Sequence, residues 1–211
     1  GNIFADHAAP AFLRAFAHRA ALPLAYSQGF NPHPRLSFAA ALPVGYTSEC
    51  EAVDILLSER VAVEGLGGSL APECPEGLRV LSAEEVPLEA PAPQATMRAA
   101  DYVVRLQGEF TYEELVEALE RLLARPEVVR ERTRKGRLKE YDLRPLIHEA
   151  ACEEDGAGEP LLRLRLACGS EGAGRPEEIV DELGLAVSRR AIRRVRLFWE
   201  DPSCDSEGEG R

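Results

Sequence analysis

The chain has 211 residues, of which 45% are hydrophobic and 29% charged, and its formal net charge is -11 at pH 7. This composition is typical of a globular chain with a substantial core, arranged as one large domain or two small ones. No apolar run approaches the length that crosses a bilayer, and the first residues lack the order of a signal peptide, so we expect a cytoplasmic location.

The acidic balance argues against a nucleic-acid binder that works by bulk charge, because phosphate binding requires a basic surface. Local basic surfaces remain compatible with it. The five cysteines are widely spaced and form no CxxC pair, which predicts reduced, structural thiols: Cys50, Cys74, Cys152, Cys168 and Cys204. We therefore expect no metal and no cofactor in this chain, since zinc and iron–sulfur sites use closely spaced ligands.

Two halves are predicted in chain order. A helix is predicted over residues 11–21, where Phe12, Leu13 and Phe16 have helical spacing and Pro10 occupies a favoured first-turn position. The elements predicted after it are strands over 35–42 and 52–57, a short helix over 63–70 and a strand over 78–85. A segment rich in Pro and Ala follows. It predicts a linker over residues 87–98 between a first domain, 1–86, and a second, 99–200.

The second half begins with a predicted strand over 102–107. Thr111 and Glu114 then form a capping box for the strongest helix of the chain, over 112–124. The later predictions are extended segments over 128–133, 143–151 and 161–167, a helix from Pro176 to about Leu183, a strand over 192–199 and a disordered acidic tail over 201–211.

The order strand, helix, strands, helix, strand is that of a βαββαβ, or ferredoxin-like, unit. The first half has the same order if its N-terminal strand is missing. The predicted fold class is therefore α+β, with tandem ferredoxin-like units of which the first lacks one strand. Such a gap exposes a sheet edge that another chain or domain would cover.

The most distinctive motif lies at residues 22–45, LPLAYSQGFNPHPRLSFAAALPVG. It resembles the hallmark of a bacterial family of radical-SAM-linked proteins whose domain has no assigned function. Phe4 and His7, in FADH, stand where that family has a short SHLD-like segment. The resemblance continues through residues 47–54, TSECEAVD, and residues 135–145, KGRLKEYDLRP.

The resemblance implies a partner rather than a reaction. Members of that family are encoded next to, or fused to, a radical-SAM protein that often carries a cobalamin (B12)-binding type of domain. Neighbouring genes concern ribosomes and RNA processing. This implies an accessory subunit of a radical-SAM system, with ribosomal or transfer RNA as the substrate class and with the radical chemistry in the partner.

The segment from Gln28 to Arg35 predicts a rigid, irregular loop, because it contains a glycine, an asparagine and two prolines. Polar side chains that can contact a phosphate or a base edge lie within this loop and just beyond it, and Phe30 or Tyr26 is available for stacking: the candidates are Tyr26, Ser27, Gln28, Asn31, His33 and Arg35. The alternative is a hairpin connection whose polar groups bond to their own backbone. Both interpretations stay open at this point.

A second basic stretch, residues 130–139, supplies candidates for contact with a phosphate backbone: Lys135, Arg137 and Lys139. The alternative is a hairpin tip with solvated charges. Arg144 either joins this interface or pairs with Asp142 to position the chain. A third basic stretch covers residues 189–196. Its alternation predicts that Arg194 and Arg196 share one strand face and that Val195 and Leu197 share the other. Burial of one face explains this pattern without a bound ligand.

Three functions are compatible with these features. The leading hypothesis is a non-catalytic module that binds RNA and presents it to the radical-SAM partner. The second is a module that only docks on that partner, which the acidic net charge favours. The third is a metal-independent RNA-processing enzyme in which His33 acts as a general base with Tyr26 or Ser27. We predict no catalytic residue under the leading hypothesis.

Overall fold

The computed structural model describes residues 21–64, 66–74, 76–134, 136–169 and 172–199. The predicted helix over 11–21 lies outside these residues except for Ala21, and so do His7, Lys135 and the acidic tail. Contacts divide the chain into two units between Thr96 and Met97, and the secondary structure is mixed α and β. In the described ranges, no helix is long and apolar enough to span a membrane.

The first unit contains short elements. Its strands are β1 (Leu36–Phe38), β2 (Thr47–Ser48) and β3 (Val53–Ile55), and its helices are α1 (Leu66–Leu70) and α2 (Pro93–Thr96). Strands β1 and β3 pair antiparallel, with Ser37 opposite Asp54. A small core forms around the buried Leu70, against which pack Leu22, Leu36, Phe38, Val53, Leu66, Cys74 and Val80.

Three predictions for the first unit need correction. The strands predicted over 35–42 and 52–57 are shorter, and residues 78–85 form no strand. A strand needs a partner ladder and a face to bury, but Leu81 in this segment is 64% exposed. The tandem ferredoxin-like arrangement therefore stays a prediction.

The second unit is longer and more regular. Its elements are β4 (Met97–Gly108), α3 (Tyr112–Ala124), β5 (Val129–Arg134), β6 (Arg137–Asp142), β7 (Ile147–Glu154), β8 (Pro160–Gly169), β9 (Gly172–Ala173), α4 (Pro176–Glu182) and β10 (Val187–Trp199). Strands β5 and β6 form a separate hairpin. Without that hairpin and the two-residue β9, the order is the βαββαβ predicted for this half.

The main sheet of this unit has the order β10–β4–β8–β7, with antiparallel neighbours. Val104 lies opposite Ile192 on one side and Leu162 on the other, and all three are buried. Helices α3 and α4 lie on this face: Tyr112 Oη donates to Cys152 O at 3.1 Å, and Arg190 Nη1 donates to Asp181 Oδ1 at 3.0 Å. We call it the helix face.

The start of α3 matches its sequence signal. Glu114 N donates to Thr111 Oγ1 at 3.2 Å, and Thr111 N donates to Glu114 Oε2 at 2.8 Å, so the predicted capping box is confirmed. Such a cap contributes about 1 kcal/mol. The helix buries one apolar stripe against the sheet: Leu115, Ala118, Leu119 and Leu122.

The predicted alternation at the end of the chain is wrong. The register shifts at Val195, so Arg194 lies opposite Tyr102 while Arg196 lies opposite Asp101. The extra residue of a β-bulge moves the following side chains to the other face. Arg194 is consequently buried on the helix face, with its guanidinium 5.6 Å from the centre of the Tyr102 ring, and Arg196 is exposed on the opposite face.

Candidate nucleic-acid interface

In the first unit, the loop around residues 26–35 is closed at its base by the backbone. Ser27 N donates to His33 O at 2.9 Å, and Arg35 N donates to Ala25 O at 2.9 Å. An isolated antiparallel bridge also joins Tyr26 and Pro34. The two sides of the loop are therefore held at a fixed separation.

Ser27 and His33 bond to each other within this loop. Ser27 Oγ accepts from His33 N at 3.1 Å and lies 3.0 Å from His33 Nδ1, which is also 3.4 Å from Asn31 O. These contacts support the alternative interpretation for Ser27 and His33, in which polar groups stabilise their own loop.

The tip of the loop presents side chains to solvent. Gly29 has a φ of 124°, a backbone conformation that favours glycine, and the next residue, Phe30, has an exposed fraction of 106%. Gln28 and Asn31 are exposed beside it, and Tyr26 is 45% exposed. The loop thus presents Phe30 and two amides at its tip and a second partly exposed aromatic ring, Tyr26, at its base.

Arg35 leaves the loop as an exposed residue directly before β1. Its backbone is fixed on both sides, because Leu56 N donates to Arg35 O at 3.1 Å in addition to the bond from Arg35 N. Among the described residues, no carboxylate pairs with its guanidinium. Arg35 therefore places an unneutralised cation near the base of the loop.

In the second unit, the hairpin of β5 and β6 divides its cations into two groups. Near the base, Arg130 Nη1 lies 2.8 Å from Glu182 Oε1, and Arg132 pairs with Glu178. Farther along, Arg137 and Lys139 are exposed, and no ion pair involves them in the part of the chain that the structure describes. Among these four described cations, the second group is the one available to a ligand.

Arg144 forms hydrogen bonds with neighbouring segments of the second unit. Its Nε donates to Leu123 O at 3.1 Å, close to the end of α3, and its backbone N donates to Asp142 Oδ1 at 2.9 Å. Asp142 Oδ1 also accepts from Val128 N at 2.8 Å. These bonds fix the junction between α3, the hairpin and β7, which favours the structural alternative for Arg144.

Three arginines on the central strands were not predicted as candidate residues: Arg105 lies on β4, and Arg163 and Arg165 lie on β8. They face away from the helices, because their neighbours along the strands occupy the buried helix face. The alternation of Leu and Arg in residues 162–165 is a signal for this arrangement, since it is typical of a half-buried strand.

Acidic side chains show no metal-binding arrangement in the described ranges, where no group of three or more His, Cys, Asp or Glu residues is close enough to hold an ion. Asp54 on β3 is half-buried, and burial raises the pKa of its carboxyl above the ordinary value. The described candidate residues of the two units are aromatic, amide and cationic side chains.

Comparisons with known proteins place the chain in a family. A model of the family described as "Uncharacterized protein conserved in bacteria (DUF2344)" matches residues 8–176. No curated protein matches. One similar solved structure is a "Crystal Structure of a Cbf5-Nop10-Gar1 Complex", with a TM-score of 0.49 and 13% identity over 95% of this chain and 48% of that chain. This chain thus spans about half the length of that one. Because the family model covers most of the sequence, the chain belongs to this bacterial DUF2344 family.

Proposed function

We propose that this chain is a non-catalytic module that binds RNA and presents it to a radical-SAM protein, encoded beside it or fused to it. The observation that carries the RNA-binding part is the fully solvated Phe30, at the tip of a loop whose base is closed by hydrogen bonds. A large apolar ring held in water by a constrained backbone is a surface for stacking.

Single-stranded RNA provides the matching chemistry. Its unstacked bases stack on aromatic side chains, and each such contact contributes about 1–3 kcal/mol. Gln28 and Asn31 flank the ring with amides suited to base edges, and Arg35 supplies a cation for a phosphate. Arg137 and Lys139 offer further phosphate contacts from the second unit, and Lys135, two positions before Arg137 in the sequence, completes the proposed set.

The tandem ferredoxin-like architecture belongs to the same proposal, and the βαββαβ order of the second unit supports it. The radical-SAM partner is supported by the motif at residues 22–45 and by the segment at 135–145, and a cytoplasmic location is part of the same proposal. The sequence contains no CxxxCxxC motif, so we assign S-adenosylmethionine and its cluster to the partner.

The test is the affinity of the full chain for a structured RNA with single-stranded loops, measured by fluorescence anisotropy at low and high salt. Phe30→Ala should weaken binding by roughly 5- to 160-fold, the range that the loss of one stacked base predicts. Val44→Ala is the matched control, because Val44 is an exposed apolar residue of the same unit, at 68%, outside the loop. Absent binding, or equal losses in the two variants, would overturn the proposal.

A docking module for the radical-SAM protein is the second candidate. The observation that favours it is a run of exposed large apolar residues in the first unit, with Leu81 at 64%, Val86 at 44% and Leu88 at 80%. Capture of the purified partner that survives nuclease and high salt, and is lost in Leu81→Ser with Leu88→Ser, would support this candidate. Capture that nuclease abolishes would exclude it.

A further inference from the structure

The main sheet of the second unit carries arginines on the face opposite α3 and α4. The strand register places six arginines on this side of the sheet. They are Arg189, Arg193 and Arg196 of β10, Arg105 of β4, and Arg163 and Arg165 of β8. We call this surface the arginine face. Its residues are different from those of the loop around Phe30 and from those of the hairpin of β5 and β6.

Acidic residues on the same face neutralise only part of its charge. Arg165 pairs with Asp101 at 2.8 Å and with Glu149 at 2.5 Å, Arg163 pairs with Glu153 at 2.6 Å, and Arg105 pairs with Asp155 at 3.3 Å. Arg189 and Arg196 are exposed, and the described residues include no carboxylate partner for either. The face therefore has an excess of positive charge in a chain whose net charge is -11.

Phe198 lies among these cations. The Cζ atom of Arg165 is 4.3 Å from the centre of the Phe198 ring, and that of Arg196 is 5.3 Å away. Asp101 fixes one of the two guanidinium groups, because it accepts from Arg165 Nε at 2.8 Å and from Nη2 at 3.2 Å. The result is a preorganised arrangement of an aromatic ring and planar cations.

We infer that the arginine face is a second RNA-binding surface, specific for single strands. The inference rests on the proposed RNA-binding function and extends it to a different part of the chain. A base stacks on the planar group formed by Phe198 and Arg165, while Arg196 and Arg189 contact phosphates. Bases in a single strand are free to reach such a platform, whereas those in an A-form duplex are stacked on one another.

An acidic peptide is the alternative ligand for this face, because its carboxylates are also attracted to positive charge. Its carboxylates can pair with the guanidinium groups, but they offer no planar ring that stacks on Phe198. The geometry around Phe198 therefore favours a nucleobase over a carboxylate chain.

The sharpest test uses two exposed arginines of the same strand. Arg196→Ala removes a cation from the arginine face, and Arg190→Ala is the matched control on the helix face, where Arg190 pairs with Asp181 at 3.0 Å. The full-length variants are titrated with a labelled single-stranded RNA, with a duplex of the same sequence and with polyglutamate, across a range of salt concentrations.

Arg196→Ala should weaken single-strand binding about 3- to 10-fold and reduce the salt slope by about one phosphate contact, while Arg190→Ala leaves both unchanged. Phe198→Leu should weaken single-strand binding more than duplex binding, in a variant whose thermal unfolding shows that it is folded. This second variant separates stacking from charge.

Equal binding by the Arg196→Ala and Arg190→Ala proteins, with RNA affinity retained in both, would overturn the inference and leave the proposed function standing. An equal loss of RNA and polyglutamate binding in Arg196→Ala would assign the face to acidic proteins instead. If the unmodified chain binds no RNA at all, the proposed function itself fails.

Discussion

Arg132 binds both carboxylate oxygens of Glu178, because its Nη2 atom lies 2.8 Å from Oε1 and 2.8 Å from Oε2. The same nitrogen donates to Tyr141 Oη at 3.1 Å, and the guanidinium lies 4.6 Å from the centre of the Tyr141 ring. Glu178 is buried on α4. This pair therefore fixes the base of the β5–β6 hairpin to the second unit, and with it the free cations Arg137 and Lys139.

Loss of the negative charge at Glu178 should destabilise the second unit. Glu178→Gln removes the charge that compensates the half-buried Arg132, so the free energy of unfolding should fall by about 1–3 kcal/mol. Urea unfolding followed by circular dichroism measures this change. The matched control is Glu131→Gln on the same hairpin, because Glu131 is exposed and lies opposite Glu140.

The control should change stability by no more than about 0.5 kcal/mol, since removal of one of two facing like charges is close to neutral. A loss of stability in Glu178→Gln as small as that of the control would show that the ion pair does not hold the hairpin.

Glu182 should make stability depend on pH in the acidic range. Burial raises the pKa of its carboxyl, but the hydrogen bonds from Arg130 at 2.8 Å and Arg125 at 2.6 Å outweigh that effect and leave the pKa below its ordinary value of 4.5. Because the pKa of Glu182 is lower in the folded chain than in the unfolded chain, its ionised carboxylate stabilises the fold. This stabilisation is fully present above pH 4.5 and is lost as the pH falls through the pKa of the folded chain.

The difference in free energy of unfolding between the unmodified chain and Glu182→Gln should therefore be largest near neutral pH and shrink below pH 4.5. Urea titrations at several pH values measure it. Glu117→Gln serves as control, because the Glu117 side chain is 69% exposed and its pair with Arg121 is an exposed helix pair at 3.7 Å. A constant difference for Glu182→Gln over this range would contradict the assigned pKa direction.

Cys152 should resist alkylation in the folded chain. Burial, followed by the charge of Glu120, raises the pKa of its thiol to about 11 from 9.0. The thiolate is the reactive form, so at mildly alkaline pH its fraction falls by roughly two orders of magnitude. Iodoacetamide labelling with peptide mass spectrometry measures the rate at this residue, and the same peptide in denaturant is the internal control. Equal rates in the two states would contradict the prediction.

The sequence was most informative where local signals determine the structure. The capping box of Thr111 and Glu114 predicted the start of α3, and the solvated tip of the loop around Phe30 agrees with its glycine and prolines. The bulge at Val195 was not predictable, because strand register is set by pairing with β4 rather than by the alternation of residues within β10.

The arginine face was missed for the same reason. Arg165 and Arg196 are 31 positions apart in the sequence. They come together because Asp101, on the strand between them, lies opposite both residues in the sheet. Likewise, the run of charges at residues 130–139 gave no indication that Arg132 is engaged by α4 while Lys139 is free, since Glu178 lies far along the chain.

His33 provides the test that separates a binding module from an RNA-processing enzyme. His33→Ala removes the contacts with Ser27, so we expect a looser loop and about 2- to 5-fold weaker RNA binding, which corresponds to roughly 0.5–1 kcal/mol for one exposed hydrogen-bonded pair. Ser27→Ala should have a similar effect, and the double variant should lose little more, because both residues belong to one interaction.

The measurements are anisotropy for binding and gel analysis of labelled RNA, with a chelator present, for cleavage. Intact RNA in every sample supports the binding module. Cleavage by the unmodified chain that His33→Ala abolishes, with binding preserved, would instead identify His33 as a general base and replace the binding module with an enzyme.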